Sequence, residues 1–123
     1  MSTPYSLTPV NLSLLKLIMQ GDVDKYDALR LREELELYLE KSWLERRQVN
    51  VVADVSDLNR ISAEARHLFA SQNRDKRIGR VAVVGFTRAQ KILAHFIMVE
   101  SKRNNIYFFD TISEAESWLM ERA

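Results

Sequence analysis

The sequence predicts an α/β fold: one domain over residues 1–123, with a mixed, mostly parallel sheet of four or five strands packed with about four helices. Three observations carry this prediction. Residues 80–123 read strand–helix–strand–helix, with β-rich runs at 80–85 and 105–110. Each helix that follows such a run has its own start signal. The run Val49-Asn50-Val51-Val52-Ala53-Asp54-Val55 is nearly continuously apolar, as expected of a strand covered on both faces of a parallel sheet.

Both prolines, Pro4 and Pro9, lie in the first ten residues, so residues 1–10 read as an extended arm or edge strand turning at Pro9-Val10-Asn11. Leu12 to Met19 is apolar and strand-like, and Gly21-Asp22 ends it. A helix starts near Asp24, whose carboxylate accepts the orphan N–H groups of the first turn. Ala28, Leu31, Leu35, Tyr38 and Leu39 fall on its inner face, with Arg32, Glu33, Glu36 and Glu40 at its margins and back. The strand at 49–55 comes next. Ser62 then caps a short helix with Ile61, Ala65, Leu68 and Phe69 as its apolar stripe. Asn73–Arg77 is a polar loop closed by Gly79. Thr87 and Gln90 form a capping box for a third helix, with Ala89, Ile92, Leu93 and Phe96 inward. The last helix, over 113–122, has Thr111 with Glu114, or Ser113 with Glu116, at its start and turns Ala115, Trp118 and Leu119 inward. Three successive crossovers should be right-handed, and the early hairpin supplies the one antiparallel pairing.

The 123 residues, 46% of them hydrophobic, suffice for a single core. No run of 18 apolar residues is present to span a membrane, and the opening residues lack the charged and apolar regions of a signal peptide. A cytoplasmic location is expected. The absence of cysteine removes disulfides, thiolate metal sites and a cysteine nucleophile. With 18 Lys and Arg against 17 Asp and Glu, the chain lacks the basic excess of a dedicated nucleic-acid binder.

Few constellations carry chemistry, and no enzymatic activity is expected. His67 and His95 are the only histidines, and neither has a second ligand at zinc spacing, so they read as exposed helix residues and no metal or other cofactor is expected. Gly85-Phe86-Thr87-Arg88 joins a strand end to a helix N-terminus, which makes Thr87 and Arg88 a weak anion-site candidate; one glycine is neither the dinucleotide fingerprint nor the Walker pattern. Asp54 and Asp110 stand at the carboxyl ends of strands, where α/β sheets place ligands, but Asp also ends strands because it suits turns. Arg74, Lys76, Arg77 and Arg80 make a basic loop without interleaved aromatics, so it reads as solvated. Two helices carry more apolar surface than one stripe requires. On the first, Tyr26, Leu37 and Leu44 lie opposite the core stripe, with Trp43 on a flank. On the third, Ile97, Met98 and Val99 extend beyond the buried face. These residues are candidates for a partner or homodimer surface, or for the lining of an apolar pocket.

The segment Val51-Val52-Ala53-Asp54-Val55-Ser56-Asp57-Leu58-Asn59-Arg60-Ile61-Ser62, running straight into a helix, resembles the central segment of STAS domains. The tail, with Ile106-Tyr107-Phe108-Phe109-Asp110 and then Glu114-Ala115-Glu116-Ser117-Trp118-Leu119, resembles SpoIIAA-like (STAS/Sec14-type) bacterial proteins. The resemblance spans 12–119 in element order and implies a non-enzymatic regulatory module that docks on a protein partner and is switched by serine phosphorylation. Aligning Asp54 and Ile61 with the family pattern puts Ser62 at the family's Asp, Ala63 at its first Ser, Glu64 at the phosphorylated Ser and Ala65 at the glycine that follows. Ser62 is then a phosphate acceptor on a helix N-terminus, or Glu64 a permanent negative charge there, or Ser62 a cap only. The Sec14 side of the resemblance implies the alternative of a carrier or sensor of a small apolar or lipid-like ligand.

Overall fold

Every helix begins where the sequence supplies an oxygen for its orphan N–H groups. The computed structural model describes residues 3–121. Their elements run β1 (Tyr5–Asn11), β2 (Leu14–Val23), α1 (Lys25–Leu44), β3 (Val49–Ile61), α2 (Ala63–Asn73), β4 (Ile78–Val84), α3 (Arg88–Ser101), β5 (Ile106–Phe109) and α4 (Ile112–Met120). Asp24, Ser62, Thr87 and Thr111 are the four N-caps, each accepting a backbone N–H with its side chain. At α1 the cap is reciprocal: Asp24 accepts from Asp27 N at 3.0 Å, and Asp27 accepts from Asp24 N at 3.0 Å. Burial works against the charge of Asp27, but the Asp24 N–H and the Arg30 guanidinium outweigh it and hold its carboxyl below the usual carboxylate range.

The five strands form one sheet in the order β1-β2-β3-β4-β5, with β1 antiparallel to β2 and all other neighbours parallel. Right-handed crossovers that always step in the same direction put their helices on one face. Accordingly α1, α2 and α3 share a face, with α2 in the middle, while α4 packs on the opposite one. Period-two alternation assigns the side chains. Leu15, Met19, Val51, Ala53, Val55 and Val83 pack under Ala28, Leu31, Leu35, Leu39, Ala65 and Ala94. Leu14, Val52, Ala82 and Val84 pack against Ala115 and Leu119 of α4. The near-continuous apolar run of β3 is thus used on both faces. Leu39 is fully buried, and a buried leucine of this kind contributes about 2 kcal/mol.

Several boundaries and one helix face differ from the sequence expectation: β4 starts at Ile78, so Gly79 lies within the strand rather than closing the loop before it, and Ile61 ends β3 instead of joining the α2 stripe. The hairpin turns at Leu12-Ser13 rather than at Pro9-Val10-Asn11, because β1 is an edge strand, where a residue without an N–H is tolerated, and Asn11 Oδ1 accepts Ser13 N at 2.8 Å to set the turn. Gly21-Asp22 does not end β2; Gly21 has φ +63° and sits at an irregularity of the β2–β3 register, so the strand continues to Val23. β3 runs to Ile61 instead of Val55. On α3, Ala89 and Ile92 face solvent, and the buried residues are Gln90, Ala94 and Ser101. That face combines polar and apolar contacts: Gln90 and Ser101 are buried beside Ala94 of the core, with Leu93 and Ile97 turned into the interior.

The amino end of the sheet is closed by its own side chains. Asn73 Nδ2 donates to Ser101 Oγ at 2.8 Å and Asn105 Oδ1 at 3.0 Å; Asn105 Nδ2 returns bonds to Asn73 Oδ1 at 2.9 Å and Gly79 O at 2.8 Å. All three side chains are buried. Arg103 reaches the carbonyls of Asn73, Asp75 and Ile78 at 3.0, 3.0 and 2.9 Å. Arg77 bridges Asp75 and Glu36, tying the α2–β4 turn to α1. Hydrogen bonding to Arg77 holds the Asp75 carboxyl below its ordinary range despite partial burial. The loop that reads as basic and solvated is therefore largely engaged within the chain: Arg74 donates to Glu100 O at 2.9 Å, and Arg80 lies 4.5 Å from the Trp118 ring centre.

Candidate functional site

The opposite end of the sheet, where parallel strands point their carboxyl termini, is built differently. β4 pairs with β3 only as far as Val84, opposite Asp54. Beyond that point β3 continues alone with β2, as a two-stranded ribbon ending in the pair Val23–Ile61. The departure is stabilised locally: Asp54 Oδ1 accepts Ser56 N at 3.0 Å and the Ser56 hydroxyl at 2.6 Å. With β4 gone, Ser56 O loses its ladder partner, and Gln90 Nε2 supplies the donor at 3.1 Å.

Gln90 does more from the same position. Its Oε1 accepts Phe86 N at 2.7 Å and Thr87 N at 3.0 Å, while Thr87 Oγ1 accepts Gln90 N at 3.2 Å. These are N–H groups that an anion at the start of α3 would need, and they are already engaged. Gly85 makes room for the arrangement, since a Cβ there would fall 2.6 Å from Gln90 Oε1. Thr87 and Arg88, the anion-site candidates, remain exposed at this turn.

Ser62 follows the ribbon. Its N–H donates to Val23 O at 3.0 Å, which anchors the start of α2 to the end of β2, and its Oγ accepts Ala65 N at 3.1 Å. The residue is half-buried, and Ala63 and Glu64 beside it are exposed. A negative charge at Ser62 or Glu64 sits at the positive end of the α2 dipole, worth about 0.3–1 kcal/mol each. Around the ribbon Asp57, Arg60 and the Asn59–Asp22 hydrogen bond of 2.9 Å lie in solvent.

The surface candidates divide between the two flanks. Tyr26 (68% exposed), Leu37 (68%) and Leu44 (85%) line the outer face of α1, with Trp43 beside them. On α3, Val99 is exposed, while Ile97 and Met98 are half-buried and Ile97 turns into the interior. Because α2 stands between α1 and α3, these two groups do not merge into one surface. Asp54 and Asp110 are likewise kept apart, with β4 between their strands. His67 pairs with Glu100 across the α2–α3 interface and meets Phe96 edge-on, and His95 is exposed. Among the described residues, no three His, Cys, Asp or Glu side chains are grouped to hold a metal ion, and no helix is long and apolar enough to cross a membrane.

Sequence reasoning missed Phe86, which is 72% exposed at the tip of the β4–α3 turn. A signal was available. An apolar residue just before an N-cap ordinarily packs on the fourth helical residue, and here that residue is Lys91, so Phe86 has no staple partner within its own helix.

The whole arrangement has counterparts among solved structures. The anti-sigma factor antagonist SpoIIAA in its unphosphorylated form matches with a TM-score of 0.70 at 10% identity, over 97% of this chain and 99% of that one. An uncharacterized protein of the DUF3478 family with a SpoIIAA-like fold, from Shewanella loihica PV-4, gives 0.68 at 19% identity over 94% and 91%. The phosphorylated form of the Bacillus cell fate determinant SpoIIAA gives 0.67 at 12% identity over 94% and 98%. No curated protein matches the sequence. The fold is thus the STAS/SpoIIAA-like one that the strand into Ser62 and the aromatic tail suggest. Residues 38–123, well over half of the chain, match the family described as Domain of unknown function (DUF7793), and the chain belongs to that family.

Proposed function

We propose that this chain is a non-enzymatic regulatory module that docks on a protein partner through the carboxyl end of its sheet, with the start of α2 as its switch. The observation that carries the reading is Phe86, a large aromatic side chain held out in solvent by a turn whose own polar groups are satisfied. Exposed aromatics of this kind are the residues that anchor protein interfaces. Ser62 supplies the switch position. A phosphate there adds about −1.5 to −2 charges at a helix N-terminus, next to Glu64, and so changes the potential that a partner meets. The fold neighbour SpoIIAA is known in both phosphorylated and unphosphorylated forms, which supports a phosphorylation-dependent reading at the start of α2. Glu64 offers the same charge permanently.

The test is co-purification of the tagged full chain from its source, comparing wild type with Phe86→Asp, Ser62→Asp and Leu37→Glu. Each variant is first checked for an unchanged circular dichroism spectrum. A partner kept by wild type and Leu37→Glu but lost by Phe86→Asp supports docking at the carboxyl end. A partner indifferent to both Phe86→Asp and Ser62→Asp sinks it. The exposed stripe Tyr26, Leu37 and Leu44 favours a second reading, self-association through α1; sedimentation of Leu37→Glu as a lighter species than wild type would support that. A lipid-like ligand is a poorer fit, because the interior cavity of about 120 Å³ is well below the roughly 300 Å³ at which sites for drug-sized ligands begin.

A further inference from the structure

The cavity itself has a chemistry. It lies between the three-helix layer and the sheet, floored by Val51, Ala53 and Val83 and roofed by Leu31, Leu68 and Ala94. Its volume of about 120 Å³ is of the same order as the roughly 150 Å³ apolar cavities that take up benzene, and, unlike those, it is partly open to solvent. Ala53 and Ala94 are small residues in opposite walls, and they leave the space open. Gln72 is one of the few polar residues in the wall, and its Oε1 is buried without a hydrogen-bond partner. A buried acceptor without a donor is costly, and a ligand that brings a donor relieves that cost while its apolar body fills the void.

We propose that this cavity is a binding site for a small, compact apolar molecule bearing one hydroxyl, of the phenol class, with the hydroxyl donating to Gln72 Oε1. The site adjoins the carboxyl-end turn through Gln90, which lines it, and it stands whether or not the surface beyond that turn docks a partner. It reaches the switch helix all the same, since Leu68 and Phe69 of α2 line it. A ligand held there favours the packed position of α2 by mass action.

The experiment titrates the full chain with phenol, benzene and benzoate, reading methyl NMR shifts and the thermal midpoint. Phenol is expected to move the methyls of Val51, Val83 and Leu68 saturably and to raise the midpoint, with benzene binding several-fold more weakly. Gln72→Leu should bring phenol down to the level of benzene. Ala94→Leu, which fills the cavity, should abolish both; should it fail to fold, Ala53→Val tests the same point with a smaller addition. Absence of saturable shifts in wild type, or undiminished binding to a folded cavity-filled variant, overturns the site. Equal affinity for phenol and benzene overturns the hydroxyl anchor. Tighter binding of benzoate than of phenol also overturns it, since the anchor would then be Arg32, which lines the same cavity.

Discussion

The two ends of this sheet put similar polar residues to opposite uses. At the amino end, Asn73, Asn105, Ser101, Arg103 and Arg77 bond one another, the turns and the backbone, so that little is left over for a partner. At the carboxyl end, Gln90 and Asp54 satisfy the turns from inside, and Phe86, Asp57, Arg60, Glu64 and Arg88 are left in solvent. The amino end fastens the helices to the sheet. The carboxyl end holds a surface in shape without occupying it, and it is where α/β sheets ordinarily bind their ligands.

If that division is right, damage at the amino end should cost the most stability. Asn105→Ala takes the side-chain donor from Asn73 Oδ1 and from the Gly79 carbonyl, leaving Asn73 only its bond to Ser101, and should destabilise by about 3 kcal/mol. Urea unfolding with an unchanged m-value would show it as a lower midpoint. A loss below about 1 kcal/mol would mean that water replaces the side chain and the end is not closed. Gln90→Leu comes next, at about 1.5 kcal/mol, because Ser56 O loses its donor while the Phe86 and Thr87 N–H groups turn to water. Its sharper readout is local: the amide resonances of Ser56, Phe86 and Thr87 should shift together, and those of Asn73 and Asn105 should stay. Ser62→Ala removes one cap bond, worth about 1 kcal/mol, and Ser62→Asp should restore most of it because a carboxylate caps equally well. A deficit in Ser62→Asp as large as in Ser62→Ala would show that the hydroxyl has a role beyond capping.

Much of this fold is legible in the sequence because its punctuation is local. Asp24, Ser62, Thr87 and Thr111 each act within three residues, so the helix starts follow from spacing alone. The both-faces burial of Val51, Val52 and Ala53 is legible for the same reason, since a continuous apolar run has few other uses. What escapes is non-local. Ser56-Asp57-Leu58-Asn59-Arg60 looks like a loop because its polar residues face water on a ribbon with only β2 beside it. The face of α3 is misjudged because Gln90 and Ser101 are buried to serve residues 34 positions upstream and 28 positions upstream, at Ser56 and Asn73. Of the candidate site, Ser62 is found by its cap, and Phe86 is missed because an exposed aromatic is silent in a pattern that counts apolar residues as core.

The placement of α4 sets the order in which the molecule comes apart. Three helices hold one face of the sheet and support one another, whereas α4 alone covers the other, through Ala115, Leu119 and its neighbours. An element with one set of contacts and nine residues opens at lower free energy than a layer of three. Lifting it bares Val52, Ala82 and Val84 while the helical layer and the carboxyl-end surface stay assembled. Opening of the closing helix alone would therefore make a second apolar surface while the contacts of the first core stay in place.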